Sequence, residues 1–236
     1  MSPRPLLVLL HGTRFDASEW DGYAELIPEA DVVCVDLPGH GTRAGHEWTA
    51  DGVAEATDEA IREIADGRPV ILAGHSLGGY VAARVAAADP HRFAALVLIG
   101  ASADPAAHPL LVRTYTGFAR LLPVVGPARM ARLANGVIAR LGADPHSLPG
   151  DTGYAVLPAA WADVVAQAGV HDVAGLPCPV WVVAGQFDQL GIDARAYAAA
   201  APDGRRRIIP RASHLAPLTH RPQVAAVLRE AVLHAS

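Results

Sequence analysis

The chain of 236 residues is 51% hydrophobic and 18% charged, with a net charge of −5. That balance describes one globular domain with a sizeable core, and excludes a disordered segment or two independent domains. The acidic sign leaves no basic footprint for nucleic acid or an anionic membrane, and all 19 basic residues are arginines, from which no mechanism follows.

In chain order, the first element is the apolar run "PLLVLLH" at 5–11. It has neither the length of a membrane span nor the cleavage site of a secretory leader, so a cytoplasmic protein is expected. Similar runs recur as "DVVCVD" (31–36), "PVILAG" (69–74), "AALVLIG" (94–100), "PVWVVAG" (179–185) and "RRIIP" (206–210). Each is too continuous for a strand with one wet face and too short for a helix, which is how buried parallel strands read. Helical patterns lie between them at 51–66, 77–88 and 221–234. This alternation predicts an α/β fold, doubly wound around a mostly parallel sheet of about six strands. It breaks over 103–170, where helices without strands suggest a helical cap inserted into a core formed by 1–102 and 171–236. Cys34 and Cys178 sit in or beside strand-like runs, as buried free thiols do, and are too few for a disulfide framework.

The stretch "ILAGHSLGGYVAARVAAA" (71–88) places Ser76 between Gly74 and Gly78, after a strand and before a helix. Chance alone would give the Gly-x-Ser-x-Gly spacing about 0.08 times in such a chain, so the strand-to-helix context decides. A serine hydroxyl is a poor nucleophile at neutral pH and needs a base within reach, held in the right tautomer by a third group. A helix starting just after Ser76 also turns free backbone N–H groups toward an oxygen that becomes negative during acyl transfer. Leu77 N–H is one such donor. The loop "HGTRFDASEW" after the first strand offers Thr13 N–H as the second, with His11 propping that loop.

On these residues the chain resembles an α/β-hydrolase with a helical cap. "LLHGTR" is similar to the family's oxyanion loop, "VDLPGHG" to the segment after its second conserved strand, "GHSLGG" to the nucleophile elbow, "AGQFDQL" to the acid loop and "RASHLAPL" to the histidine loop. The resemblance implies Ser76 as nucleophile, Asp188 as acid and His214 as base, with Asp104 after the fourth strand as a fallback acid. No metal or organic cofactor is implied. Many relatives begin with a β-hairpin, whereas here Pro5 already opens the first strand. That leaves "DVVCVD" at or near a sheet edge, where pairing with a second copy would make a homodimer.

The reaction implied is hydrolysis of a small-molecule carboxylic ester or lactone. Arg14, beside the oxyanion residue, either clamps a substrate carboxylate or pairs with Asp16, Glu19 or a cap carboxylate. From the cap, Tyr115, Phe118, Leu121, Leu122, Met130 and Trp161 are expected to line an apolar pocket. Two other readings stay open. A lyase of the menaquinone pathway in the same superfamily, or a carbon–carbon hydrolase, would use the same three residues on an anionic substrate, with Arg14, Arg113, Arg120 and Arg129 around it. A non-catalytic member of the fold would use the cavity only to bind.

Overall fold

The computed structural model describes residues 4–62, 64–140, 148 and 150–235, without the side chains of 121 and 123. Six of the apolar runs become strands: β1 (Leu6–Leu10), β2 (Asp31–Val35), β3 (Val70–His75), β4 (Ala95–Ile99), β5 (Val180–Gly185) and β6 (Gly204–Ile209). They form one sheet in the order β2-β1-β3-β4-β5-β6. Every neighbouring pair is parallel. The α/β class and the strand count are therefore as expected, and β2 lies at an edge.

The helices are α1 (Tyr23–Leu26), α2 (Ala50–Arg62), α3 (Leu77–Ala88), α4 (Pro109–Val125), α5 (Pro127–Arg140), α6 (Gly153–Gln167), α7 (His171–Ala174), α8 (Ala194–Ala200), α9 (Ala216–Thr219) and α10 (Arg221–His234). Side chains alternate across a strand, so each central strand feeds two cores. Leu6, Val8, Leu10, Leu72, Leu98 and Val182 face the cluster containing α2, α3 and α8. Leu7, Leu9, Ile71, Val97, Ile99 and Trp181 face the cluster under α10. β1, β3, β4 and β5 are buried at every position, the physical reason their sequences lack polar alternation.

α2 is described as far as Arg62, residue 63 lies outside the described residues, and at the expected end of the helix the chain turns through Asp66 and Gly67 with φ of 41° and 72°. Left-handed residues of this kind end helices. Between β4 and β5, α4, α5 and α6 pack on one another through Leu122, Ala131, Tyr154 and Leu157, forming the helical cap. Arg84 on α3 holds Asp163 on α6 at 2.7 Å, and the Trp48 indole donates to the same carboxylate at 3.3 Å. Residues 141–147 and 149 of the expected cap fall outside the described residues, as does the side chain of Leu121. Among the described residues no helix is long and apolar enough to cross a membrane. Cys34 is half-buried and Cys178 buried, both free.

Candidate active site

β3 enters α3 through Ser76, whose backbone sits at φ 51° and ψ −117°. A non-glycine residue holds that conformation only when its surroundings over-determine it. The flanking glycines supply the room: a Cβ on Gly74 would overlap the Gly78 carbonyl, and one on Gly78 would come within 2.5 Å of the His11 oxygen. Ser76 N–H donates to Ile99 at 2.8 Å, and the Ser76 carbonyl accepts from Gly79 and Tyr80 at 2.9 and 3.2 Å. The serine is thereby pinned to β4 on one side and to the first turn of α3 on the other.

The loops after β5 and β6 bring the other two groups to it. Phe187 N–H donates to Ala212 at 2.9 Å and Gln186 N–H to Ile209 at 3.0 Å, locking the loops together. A Cβ on Gly185 would stand 2.5 Å from the Ala212 and Ser213 carbonyls, so only glycine allows this contact. His214 Nε2 lies 3.0 Å from Ser76 Oγ, and His214 Nδ1 lies 2.9 Å from Asp188 Oδ1. An ionised carboxylate only accepts, which assigns the proton to Nδ1 and turns the Nε2 lone pair toward the serine hydroxyl. Burial alone would raise the Asp188 pKa. The hydrogen bond and charge of His214, with the Leu190 N–H at 2.9 Å, instead hold it below the usual carboxylate range. Asp104 does not take part: its Oδ1 accepts from Ala106 at 3.0 Å, and its amide donates to Asp193.

The loop after β1 closes a turn in which Phe15 N–H donates to Gly12 at 3.2 Å, with Arg14 at φ 72° in its third position. Glycine usually fills that position. Here Arg14 Nη1 donates to the Tyr154 hydroxyl at 2.7 Å, and its guanidinium lies 5.5 Å from the centre of the Tyr154 ring. A Cβ on Gly12 would be 3.4 Å from Ser76 Cβ, so this loop runs directly beside the Ser76 turn. Among the described residues, no acceptor meets the backbone N–H of Thr13 or Leu77. Below the loop, His11 donates from Nδ1 to Gly12 at 2.9 Å and accepts the Leu37 N–H on Nε2 at 3.0 Å, a neutral arrangement consistent with the downward shift that burial imposes. Asp36 accepts from Ala17 N–H at 2.8 Å and from Thr42 N–H at 2.7 Å.

Above Ser76 and His214 opens a cleft of about 240 Å³, lined from the core by Thr13, Arg14, Phe15 and Leu190 and from the cap by Tyr115, Phe118, Tyr154, Leu157 and Trp161. The Tyr115 and Trp161 rings stack at 4.8 Å, and Gln189 donates to the Tyr115 hydroxyl at 3.4 Å. Leu122 is a correction: it is 3% exposed and packs inside the cap, one helical turn beyond Phe118 and turned toward Ala131 and Leu157. Met130 joins that same interior cluster. The ion-pair alternative for Arg14 is also not met among the described residues. Asp16 accepts from Ser18, and Glu19 is taken by Gly12 N–H and His75.

Several residues at the site escaped the sequence reading. Tyr154 and Leu157 sit in a helix whose apolar residues run all round, so no periodicity marks a cleft-facing side. Glu19 is the last acid of a surface-like loop, yet the short helical turn at Ala17–Trp20, capped by Asp16, rolls it inward to 1% exposure. Gly100, φ 57°, ends β4 where a Cβ would press on Asp188 and His214. Among the described residues no group of three or more His, Cys, Asp and Glu side chains converges as a metal site requires.

A family model described as the alpha/beta hydrolase family matches residues 7–227. The pimeloyl-[acyl-carrier protein] methyl ester esterase of Aromatoleum aromaticum is 31% identical over 257 aligned positions, 98% of each chain. Lipase LipV of Mycobacterium tuberculosis is 38% identical over 101 residues, a match spanning 42% of this chain and 37% of that one. Among solved structures, a thermophilic esterase from Thermogutta terrifontis with malate bound superimposes with a TM-score of 0.78 at 24% identity, over 99% of this chain and 90% of the other. At that identity the likeness concerns the fold.

Proposed function

The chain belongs to the alpha/beta hydrolase family, and from that membership we propose that it is a serine hydrolase cleaving a small-molecule carboxylic ester or lactone through an acyl-enzyme on Ser76. The observation that carries this reading is the unbroken relay from Asp188 to His214 to Ser76, with links of 2.9 and 3.0 Å. Ser76 Oγ attacks the acyl carbon as its proton passes to His214 Nε2, and Asp188 stabilises the imidazolium that results. Thr13 and Leu77 N–H groups receive the oxyanion, each worth roughly 3 kcal/mol of barrier. His214 returns the proton to the leaving alcohol, then draws one from the water that frees the acyl group. In this division residues 103–170 act as the cap that selects the substrate, while 1–102 and 171–236 carry the chemistry.

Tyr115, Phe118 and Trp161 would hold an apolar part of the substrate, and Arg14 an anionic part, since four of its five N–H donors have no described protein partner. The full-length relative named a methyl ester esterase supports ester chemistry. The lyase reading loses support because Arg113, Arg120 and Arg129 are exposed, and among the described lining residues Arg14 is the one arginine. Free Cys34 and Cys178 suit a reducing compartment such as the cytoplasm. The half-buried edge strand β2 is where a second copy would pair; light scattering that finds a monomer across a wide concentration range removes that part.

The test is a turnover screen over p-nitrophenyl esters, thioesters and lactones, with Ser76→Ala as control and fluorophosphonate labelling in parallel. Ester or lactone turnover and labelling, both lost in Ser76→Ala, support the assignment. Absence of labelling in the wild type refutes it and favours a binding role.

A further inference from the structure

The residue before the nucleophile, His75, is 1% exposed, and so is Glu19. They meet at 2.6 Å through His75 Nδ1 and Glu19 Oε1. Neither belongs to the relay, yet each has a second bond that reaches it. Glu19 Oε2 accepts the Gly12 N–H at 2.7 Å, one residue before the oxyanion donor Thr13. His75 Nε2 lies 2.9 Å from the backbone carbonyl of His214, and the two imidazole rings stand 4.8 Å apart.

We propose that Glu19 and His75 form a buried ionised clasp that positions the oxyanion loop and the histidine loop on the nucleophile turn. The argument is one of donors and acceptors. A carbonyl only accepts, so Nε2 of His75 carries a proton. Glu19 receives an amide N–H on Oε2 and, as a carboxylate, accepts on Oε1 as well, so Nδ1 carries one too; the neutral alternative, a Glu19 O–H donating to Nδ1, would leave the ring with a single N–H. A ring with both protons is an imidazolium, and Glu19 is its counterion. Burial works against that charge, but the Glu19 carboxylate and its hydrogen bond more than offset it, and the His75 pKa is raised.

The groups facing His75 are Glu19 from the turn at Ala17–Trp20, Asp188 from the loop after β5 and His214 from the loop after β6. When His214 takes the Ser76 proton, two imidazolium rings stand beside two carboxylates. The clasp therefore adds no net charge to the relay while it occupies both loops. The geometry also explains Gly12: a Cβ there would be 2.7 Å from His75 Nδ1 and would push the clasp open. Glu19 and His75 are positioning residues, acting through Gly12 and His214 rather than on substrate.

This inference concerns the site proposed above, and its rate effect rests on that reading; its charge state does not. The first measurement is ¹H–¹⁵N NMR of the histidine side chains in Ser76→Ala, which needs no change at the clasp. A doubly protonated His75 ring at pH 7 supports the clasp, and a ring with one N–H overturns it. The second uses Glu19→Gln, which keeps a carbonyl for Gly12 N–H but removes the charge. We expect His75 to become singly protonated, the His214 Nδ1–H resonance to move, and kcat on a short ester to fall about 10²-fold, as misplacement by an ångström does, with KM within about threefold. Glu19→Asp, one methylene too short to span both partners, gives no rescue. If Glu19→Gln folds with kcat and the His214 resonance both unchanged, the positioning role is wrong. A wild type that turns over no ester leaves the two NMR readouts to decide the clasp alone.

Discussion

Gly100→Ala puts the packing of the relay to a quantitative test. A Cβ at position 100 would stand 2.7 Å from Asp188 Oδ2 and 3.0 and 3.1 Å from His214 Nδ1 and Cε1. Comfortable contacts begin near 3.5 Å, so the acid and the imidazole must retreat by roughly 0.5–1 Å. A displacement of that size costs a positioned reaction about 10²-fold in rate. The backbone adds a separate penalty, because φ at Gly100 is 57° and a left-handed alanine costs about 1–2 kcal/mol. In a chain of this length that lowers Tm by about 2–8 °C. Gly67→Ala is the control: φ is 72°, but nothing lies within 4 Å of its Cβ, so it carries the backbone penalty without the collision. Steady-state kinetics on a short p-nitrophenyl ester and thermal melts of both variants separate the two effects. We expect the larger loss of Tm in Gly100→Ala, which adds the collision to the backbone penalty, and kcat reduced about 10²-fold only in that variant. Wild-type kcat in Gly100→Ala beside a lowered Tm would refute the view that close contact at Gly100 holds the relay.

Three further outcomes follow from the same geometry. Asp188→Asn keeps the shape but removes the negative charge that fixes the His214 tautomer and stabilises its imidazolium, and kcat is expected to fall about 10⁴-fold; less than a tenfold loss would contradict the relay. Arg14→Ala should lower kcat/KM for esters bearing a carboxylate by about 10- to 100-fold, the worth of a charged hydrogen bond, and leave neutral esters unchanged; equal values for both substrates exclude the clamp. Burial and the neighbouring His11 push the His40 pKa down to about 4. The unfolded chain then takes up the proton first as pH falls, so stability declines from pH 6.5 toward 4 by roughly 3 kcal/mol. Urea unfolding at pH 7 and 4.5 should show this slope in the wild type and a smaller one in His40→Asn; equal slopes would rule it out.

The strands were legible because burial on both faces leaves a one-dimensional trace, a run of Val, Ile and Leu bounded by Pro, Asp or Gly. Ser76, Asp188 and His214 were legible for a related reason: each follows such a run, and the upper edge of a parallel sheet gathers whatever follows its strands. What escaped notice depends on contacts between loops rather than on position after a strand. Gly100 reads as the end of "AALVLIG", and only the approach of His214 shows why it carries no side chain. Glu19 reads as a candidate partner of Arg14 until the turn at Ala17–Trp20 rolls it under Gly12. Leu122 was misplaced because it lies on the same apolar stripe of α4 as Phe118, and spacing cannot tell the cleft from the cap interior.

The core loops and the cap are tied down by different contacts, and this bears on how substrate and chemistry are divided. Gly185 lets the loops after β5 and β6 meet backbone to backbone, and Gly12 and Gly100 leave room for the His75, Asp188 and His214 side chains, so a change there alters the relay whatever the substrate. The cap is held through side chains: Asp163 to Arg84 and Trp48, and Tyr154 to Arg14. Gly153, where a Cβ would stand 2.6 Å from the His40 ring and 2.9 Å from Arg14 Cα, also lets the start of α6 settle onto the loops after β2 and β1. Substitutions among Tyr115, Phe118, Leu157 and Trp161 therefore reshape the cleft without touching the backbone contacts that set the relay. Arg14 stands where the two systems meet, with its backbone in the turn after β1 and its guanidinium on a cap tyrosine. On the reading proposed above, a substrate that draws the Arg14 guanidinium away from Tyr154 gives up one of the side-chain contacts that hold α6, so anionic recognition and the seating of the cap meet in one residue.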